Sequence, residues 1–266
     1  MSVALENRAS EGLEALGLRV ALTHLDAAAQ RAAAEGWSYT HFLGYLLDGE
    51  LSERQRRRVE LNLQFARFPA LKRLDGFDYG AQPGLDRRLI EELATGRFLY
   101  EGRNVVLLGP PGVGKTHLAI GLGVRTAELG HRVYFTTAVD LAAKLTKAVD
   151  GNRLHRELKA LMQPKLLIID EVGYLALDAL QASLVFQVIC QRYHKEQAVV
   201  LTSNKAFGEW GQVFAGDAVM ASAALDRLLH RATVINIRAD SYRLKDRRKA
   251  RDAPAEDAKP GKRGTK

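Results

Sequence analysis

Gly109, Gly114, Lys115 and Thr116 stand at the spacing G-x-x-x-x-G-K-[ST], inside the run Gly109-Pro110-Pro111-Gly112-Val113-Gly114-Lys115-Thr116-His117. Small residues at these positions let successive backbone N–H groups turn inward on phosphate oxygens, and a helix opening near Lys115 adds the positive end of its dipole. Lys115 would reach the β- and γ-phosphates of a nucleoside triphosphate, and the Thr116 hydroxyl would complete the shell of a Mg2+ bridging them. His117, just inside that helix, reads most simply as a helix residue.

A second set of reactive groups lies further along. Leu166-Leu-Ile-Ile-Asp170-Glu171 is an apolar run that ends in two carboxylates. Asp170 could hold the Mg2+ shell, and Glu171 could polarise a water for attack on the γ-phosphate. A third apolar run, Ala198-Val-Val-Leu-Thr-Ser-Asn204, ends in an amide able to hydrogen-bond that water or a phosphate oxygen. A turn-forming Asn is the plainer reading of Asn204. Together these residues predict ATP hydrolysis with Mg2+.

Such groups converge only if strands deliver them to one edge. The strand Asn104–Leu108 enters the glycine turn, and a helix over Thr116–Leu129 stops at Gly130. A strand over His131–Thr137 follows, then helix from Asp140 to Ala160 broken at Gly151-Asn152, then the acidic strand, the helix Leu180–His194 and the Asn-tipped strand. Short, continuously apolar strands alternating with helices predict an α/β fold around a parallel sheet, whose carboxyl ends form the ligand crevice.

Ahead of this unit, Leu16, Val20 and Leu25, then Phe42, Tyr45 and Leu46, then Leu61 and Phe65 recur at helical spacing, which predicts a small all-helical region. Glu35-Gly-Trp-Ser-Tyr-Thr reads as a helix end followed by a Ser38 or Thr40 cap. Arg54, Arg57 and Arg58 fall on one helical side, where they could follow a phosphate backbone, face an acidic protein or simply be solvated. Phe68-Pro69 breaks the pattern, and Leu74–Gly84 reads as an irregular linker. The division expected is a helical domain at 1–75, a nucleotide-binding domain at 76–243, and a basic tail at 244–266 whose Ala, Pro, Lys and Gly content predicts disorder.

Composition narrows the class further. The chain has 266 residues, 47% hydrophobic and 26% charged, enough for one medium α/β domain with a smaller accessory region. No apolar run is long enough to cross a membrane and no signal peptide is evident, so the protein is expected in the cytoplasm with no membrane partner. Cys190 is a single cysteine, which excludes an intrachain disulfide and a thiolate metal cage, and the 7 histidines show no paired metal-ligand spacing. The formal net charge of +8 favours a polyanionic partner.

The motifs also carry a resemblance. Gly109-Pro-Pro-Gly-Val-Gly-Lys-Thr-His-Leu, Leu167-Ile-Ile-Asp-Glu-Val-Gly-Tyr-Leu, Leu201-Thr-Ser-Asn with Glu209-Trp-Gly, Leu225-Asp-Arg-Leu-Leu-His and Asp240-Ser-Tyr-Arg243 together resemble the IstB-type transposition helper ATPases, over nearly the whole chain. These are AAA+ proteins close to the DnaC helicase loaders and DnaA initiators. The resemblance implies an AAA+ P-loop NTPase fold, Asn204 as the γ-phosphate sensor, and Arg227 as an arginine finger reaching a neighbour's nucleotide, with Arg231 its nearest rival. It also implies Arg243 as a second sensor and Phe77 and Asp78 against the adenine. An extra helical element between the second strand and the acidic strand, bearing Lys144, Lys147, Arg153, Arg156 and Lys159, would turn toward double-stranded DNA. The partners implied are DNA, a cognate transposase and further copies of the chain, in an ATP-dependent oligomer that helps select the transposition target. A DnaC-like helicase loader and a small-molecule phosphotransferase are the competing readings, and a switch that hardly hydrolyses ATP is a fourth.

Overall fold

The computed structural model describes the backbone at residues 2–238, with side chains from residue 8 onward. Arg243 and the tail at 244–266 lie outside the described residues. Three helices open the chain: α1 (Ser2–Ala15), α2 (Arg19–Glu35) and α3 (Tyr39–Ala66). The turn between α2 and α3 is the one the sequence predicts. Gly36 takes a left-handed φ of 65° and returns its N–H to Ala32, and the Ser38 hydroxyl then accepts from the His41 N–H at 3.1 Å to open α3.

Leu18, at the start of α2, offers no side-chain cap. Glu50 on α3 supplies one, accepting from the Val20 N–H at 2.9 Å while Arg54 donates to its other oxygen at 3.1 Å. Burial raises the Glu50 pKa, but the hydrogen bonds from Val20, Arg54 and Ala21 together outweigh it and hold the carboxyl below its ordinary range. The arginine run beyond is tied along its own helix: Arg57 to Glu53 at 2.6 Å, and Arg56 to both Glu53 and Glu60. Ala21, Ala28 and Leu46 form a small core among the three helices, which the last turn of α3 leaves. Ala66 is fully buried in the core of the sheet, with Leu63, Phe68 and Leu74 packed beside it.

The remaining elements are α4 (Arg87–Ala94), α5 (Arg97–Tyr100), β1 (Asn104–Leu108), α6 (Lys115–Glu128), β2 (Val133–Thr137), α7 (Ala138–Asp150), α8 (Leu154–Leu161), β3 (Leu166–Val172), α9 (Ala179–His194), β4 (Val199–Ser203), α10 (Trp210–Val213), α11 (Ala218–Leu229) and β5 (Ala232–Asn236). The strands form one parallel sheet in the order β2-β3-β4-β1-β5. Helices cover both faces, so alternate strand residues enter two cores. Val106, Leu167 and Leu201 pack with α7, α9 and α11, while Val105, Leu107, Ile168 and Val200 pack with α4, α5 and α6. The strand order reverses beside β1, and ligand crevices of open α/β sheets form there, outside the carboxyl ends.

Arg192 is the one fully buried cation among the described residues, at 0% exposure. Its guanidinium donates to four carbonyls, of Leu161 (3.0 Å), Pro164 (3.3 Å), Lys165 (3.2 Å) and Ala198 (2.8 Å), tying the end of α8 to the approaches of β3 and β4. Burial lowers its pKa to about 9, which still leaves it cationic at neutral pH. Arg192→Ala strands those acceptors in the core and is expected to cost about 3–5 kcal/mol, read as a drop in the melting midpoint of roughly 10 °C by circular dichroism. Arg192→Lys, with no planar fork, should recover only part of it. A midpoint within about 2 °C of the parent for Arg192→Ala would contradict the assignment.

Candidate active site

The P-loop leaves the carboxyl end of β1 and closes on the first turn of α6. Its shape depends on glycine at two points. Gly109 has φ 149°, and a Cβ there would stand 2.4 Å from the Ile237 carbonyl oxygen. At Gly114, with φ 95°, a Cβ would stand 2.6 Å from the Phe77 ring. Side chains at either position are excluded by sterics and by backbone conformation together. Pro110 and Pro111 face solvent, and Val113 is buried beneath the loop. Lys115 turns its ammonium back on the loop, donating to the Gly109 carbonyl at 2.7 Å and the Pro110 carbonyl at 2.8 Å.

Beside the loop lies a cavity of about 400 Å³ lined by Phe77, Asp78, Gln82, Val113, Lys115 and Thr116, among others. Phe77 is buried, with its ring edge-on to Tyr79 and to His117, and the His117 imidazole also contacts the Arg73 carbonyl oxygen at 2.8 Å. His117 therefore does more than fill a helix position: it anchors the linker, and Phe77 with it, to the P-loop helix. The linker expected at Leu74–Gly84 is irregular, with one 3-10 turn at Leu74–Gly76, but it forms a wall of the cavity.

The acidic strand reaches the same edge. Asp170, at 3% exposure, accepts from the Thr116 hydroxyl at 3.0 Å and from the Thr202 hydroxyl at 2.5 Å. A hydroxyl and a carboxylate at one point are the hard oxygen donors that suit Mg2+. Glu171, next in the chain, is exposed, and both carboxylates open with Thr116 into a trough of about 570 Å³. Its backbone has φ 60°, unusual for a residue other than glycine. Asn204 follows β4 directly at the same sheet edge and is exposed.

The two candidate fingers stand elsewhere. The Arg231 carbonyl accepts from the Asn104 N–H at 2.7 Å, and Ala232 pairs with Asn104, so both arginines lie by the amino end of β1. The P-loop is at its other end, about 16 Å away along a five-residue strand. Arg227, in the last turn of α11, is half-buried, stacks its guanidinium 5.4 Å from the Phe186 ring centre and donates to the Ala223 carbonyl at 2.8 Å. Arg231 is exposed and paired with Glu196 at 3.0 Å.

Nor do the five cations between β2 and β3 form one set. Lys147 on α7, Arg153 in the break before α8, and Arg156 and Lys159 on α8 are exposed. Lys144 instead pairs with Glu157 at 3.0 Å and lies 5.1 Å from the Tyr134 ring centre.

A family model described as IstB-like ATP binding protein matches residues 11–250. The chain belongs to this IstB-like family. It is 48% identical over 227 residues to the ATP-binding protein of insertion sequence IS21 from Pseudomonas aeruginosa, covering 85% of each chain. It is 42% identical to that of IS5376 from Geobacillus stearothermophilus, covering 92% of this chain and 96% of the relative. Among solved structures, AMPPCP-bound DnaA from Aquifex aeolicus matches with TM-score 0.55 at 19% identity, over 69% of this chain and 55% of that one. DnaI matches with TM-score 0.51 at 18% identity, over 67% and 92%. At such identities the likeness is one of fold, the AAA+ P-loop fold.

Among the described residues of this IstB-like protein no helix is long and apolar enough to cross a membrane. Cys190 is half-buried, and burial raises its thiol pKa, which suits an inert thiol. Two residues, one at each end of the sheet, escaped the sequence reading. Thr202 touches both Asp170 and the Glu171 backbone, and Phe186 carries Arg227. Thr202 is signalled only by its place two residues before Asn204, and nothing in the sequence signals Phe186.

Proposed function

We propose that this IstB-like protein is a cytoplasmic, Mg2+-dependent ATPase that oligomerises on double-stranded DNA and acts as helper to a transposase in target selection. The observation carrying this reading is the meeting of Thr116, Asp170 and Glu171 at one sheet edge while Arg227 stands at the opposite edge of the same sheet. Lys115 and the P-loop amides bind the triphosphate, and Phe77 and Asp78 face the adenine. Thr116 and Asp170 would hold Mg2+, which supplies charge neutralisation across the phosphates. Glu171 takes a proton from the attacking water, and Asn204 orients that water against the γ-phosphate. Arg227 cannot serve its own site across the sheet, so it completes the site of a second copy, with Arg231 in reserve. Arg243 would add a second sensor from outside the described residues. A neighbour's contribution makes turnover depend on assembly.

Lys147, Arg153, Arg156 and Lys159 are the surface that would follow the DNA backbone, through phosphates and without base readout. Four phosphate contacts per subunit predict a slope of log K against log salt near −3.6, or roughly a hundredfold weaker binding from 50 to 200 mM salt. Arg156→Ala should reduce that slope by about 1, while Lys144→Ala, whose cation is already paired within the chain, should leave it alone. Titration of a fluorescent duplex with Mg2+ and a non-hydrolysable triphosphate checks both, and a slope near zero overturns the phosphate-contact surface. Residues 1–75 would dock the transposase. A helicase-loader role draws on a fold likeness alone, whereas the relatives at 42% and 48% identity are insertion-sequence proteins.

A further inference from the structure

We propose that Thr202 is the positioning residue that holds Glu171 in its working orientation, a role that rests on the ATPase reading of the site. The register of β3 and β4 carries the proposal. Ile169 faces Leu201 and Val172 faces Ser203, so three steps along β3 match two along β4. The strand therefore bulges by one residue, and the bulge contains the two carboxylates, with Thr202 alone opposite both. A bulge leaves a ladder group unpaired and re-aims the side chain beside it.

Here the missing ladder partner is a side chain. The Thr202 hydroxyl accepts from the Glu171 N–H at 2.9 Å and donates its own proton to Asp170 Oδ1 at 2.5 Å. One hydroxyl has one donor and two acceptor sites, so the two contacts are compatible. Next to it the Ser203 hydroxyl donates to the Val172 carbonyl at 2.7 Å and accepts from the Lys205 N–H at 3.0 Å, closing the far side of the bulge. Thr202 is 1% exposed and has no freedom to leave. Glu171 meanwhile has φ 60°, a conformation that persists in a non-glycine residue only where the surroundings impose it. In a regular strand Glu171 would point to the face opposite Asp170. The bulge instead lets the buried Asp170 and the exposed Glu171 both open into the trough beside Thr116. Asn204 follows Ser203 directly, so the candidate water-orienting amide leaves the sheet one residue beyond the two hydroxyls that hold the bulge.

The test uses the full chain on duplex DNA, with Thr202→Val, Thr202→Ser and Glu171→Gln alone and in pairs. Thr202→Val is expected to lower kcat roughly 30-fold or more with KM within about threefold, and Thr202→Ser to remain within about threefold of the parent in both. In the Glu171→Gln background Thr202→Val should add nothing, since both changes remove the same base. Residue-resolved hydrogen exchange reads the geometry without turnover: the Glu171 amide should exchange at least about tenfold faster in Thr202→Val and stay protected in Thr202→Ser. Thr202→Ala is read the same way if the valine variant does not fold. Unchanged exchange at Glu171, or losses that multiply between Thr202→Val and Glu171→Gln, would overturn the assignment. A parent protein that fails to hydrolyse ATP would defeat the ATPase reading instead, leaving the exchange result to decide what Thr202 holds.

Discussion

Arg227→Ala is expected to lower ATP turnover of the assembled protein by about 10³-fold or more while leaving nucleotide affinity within a few fold, as befits a finger supplied from outside the site. The reason is its place by the amino end of β1, on the far side of the sheet from the P-loop. Arg227 is half-buried over Phe186, so loss of packing must be separated from loss of the finger. Mixing does this. Lys115→Ala subunits have a crippled site and an intact finger, Arg227→Ala subunits the reverse. Neither should turn over alone, and an equimolar mixture should recover a substantial fraction of activity as sound fingers meet sound sites. No recovery from two folded variants, or full activity of Arg227→Ala alone, rejects the assignment, and Arg231→Ala in the same format shows whether its neighbour takes the role.

Glu171→Gln should cut kcat by about 10²–10⁴ while nucleotide still binds, because the amide keeps the shape of the side chain but cannot accept the proton of the attacking water. Asp170→Asn should act differently. Asp170 is buried between two hydroxyl donors, so its loss is expected to weaken the response to Mg2+ and nucleotide retention together. Titrating Mg2+ at fixed ATP separates the two: the Glu171 variant should saturate at the parent's concentration with a low plateau, and the Asp170 variant should need more. Glu171→Gln retaining parental kcat would remove Glu171 from the chemistry.

Local pattern carries far in this chain. Strands read at Leu166 and Ala198, the helix stop at Gly130, the Gly151-Asn152 break and the Ser38 cap all appear within a residue or two, because each depends on neighbours in sequence. What escaped depends on residues far apart. Arg192 reads as an ordinary cation in the last turn of a helix, and only the carbonyls of Leu161, Pro164, Lys165 and Ala198 make it a core residue. The left-handed Glu171 sits in Ile-Ile-Asp-Glu-Val, a run with no glycine to announce a bulge. Lys144 and Lys147 look equivalent along one helix until Glu157 claims the first. The Arg54–Arg58 run likewise loses much of its free charge to Glu50, Glu53 and Glu60.

The placement of the P-loop and Arg227 at opposite ends of β1 has a consequence for any row of these subunits. If Arg227 completes a neighbour's site, each member would lend its arginine in one direction and receive one from the other, so the row would have a plus and a minus terminus, and an open row of n members would contain n − 1 finished sites. The terminal molecule with no donor would keep its triphosphate longest. Disassembly would then be set by the clock of interior hydrolysis, and growth should be biased toward the end that still holds an unspent γ-phosphate.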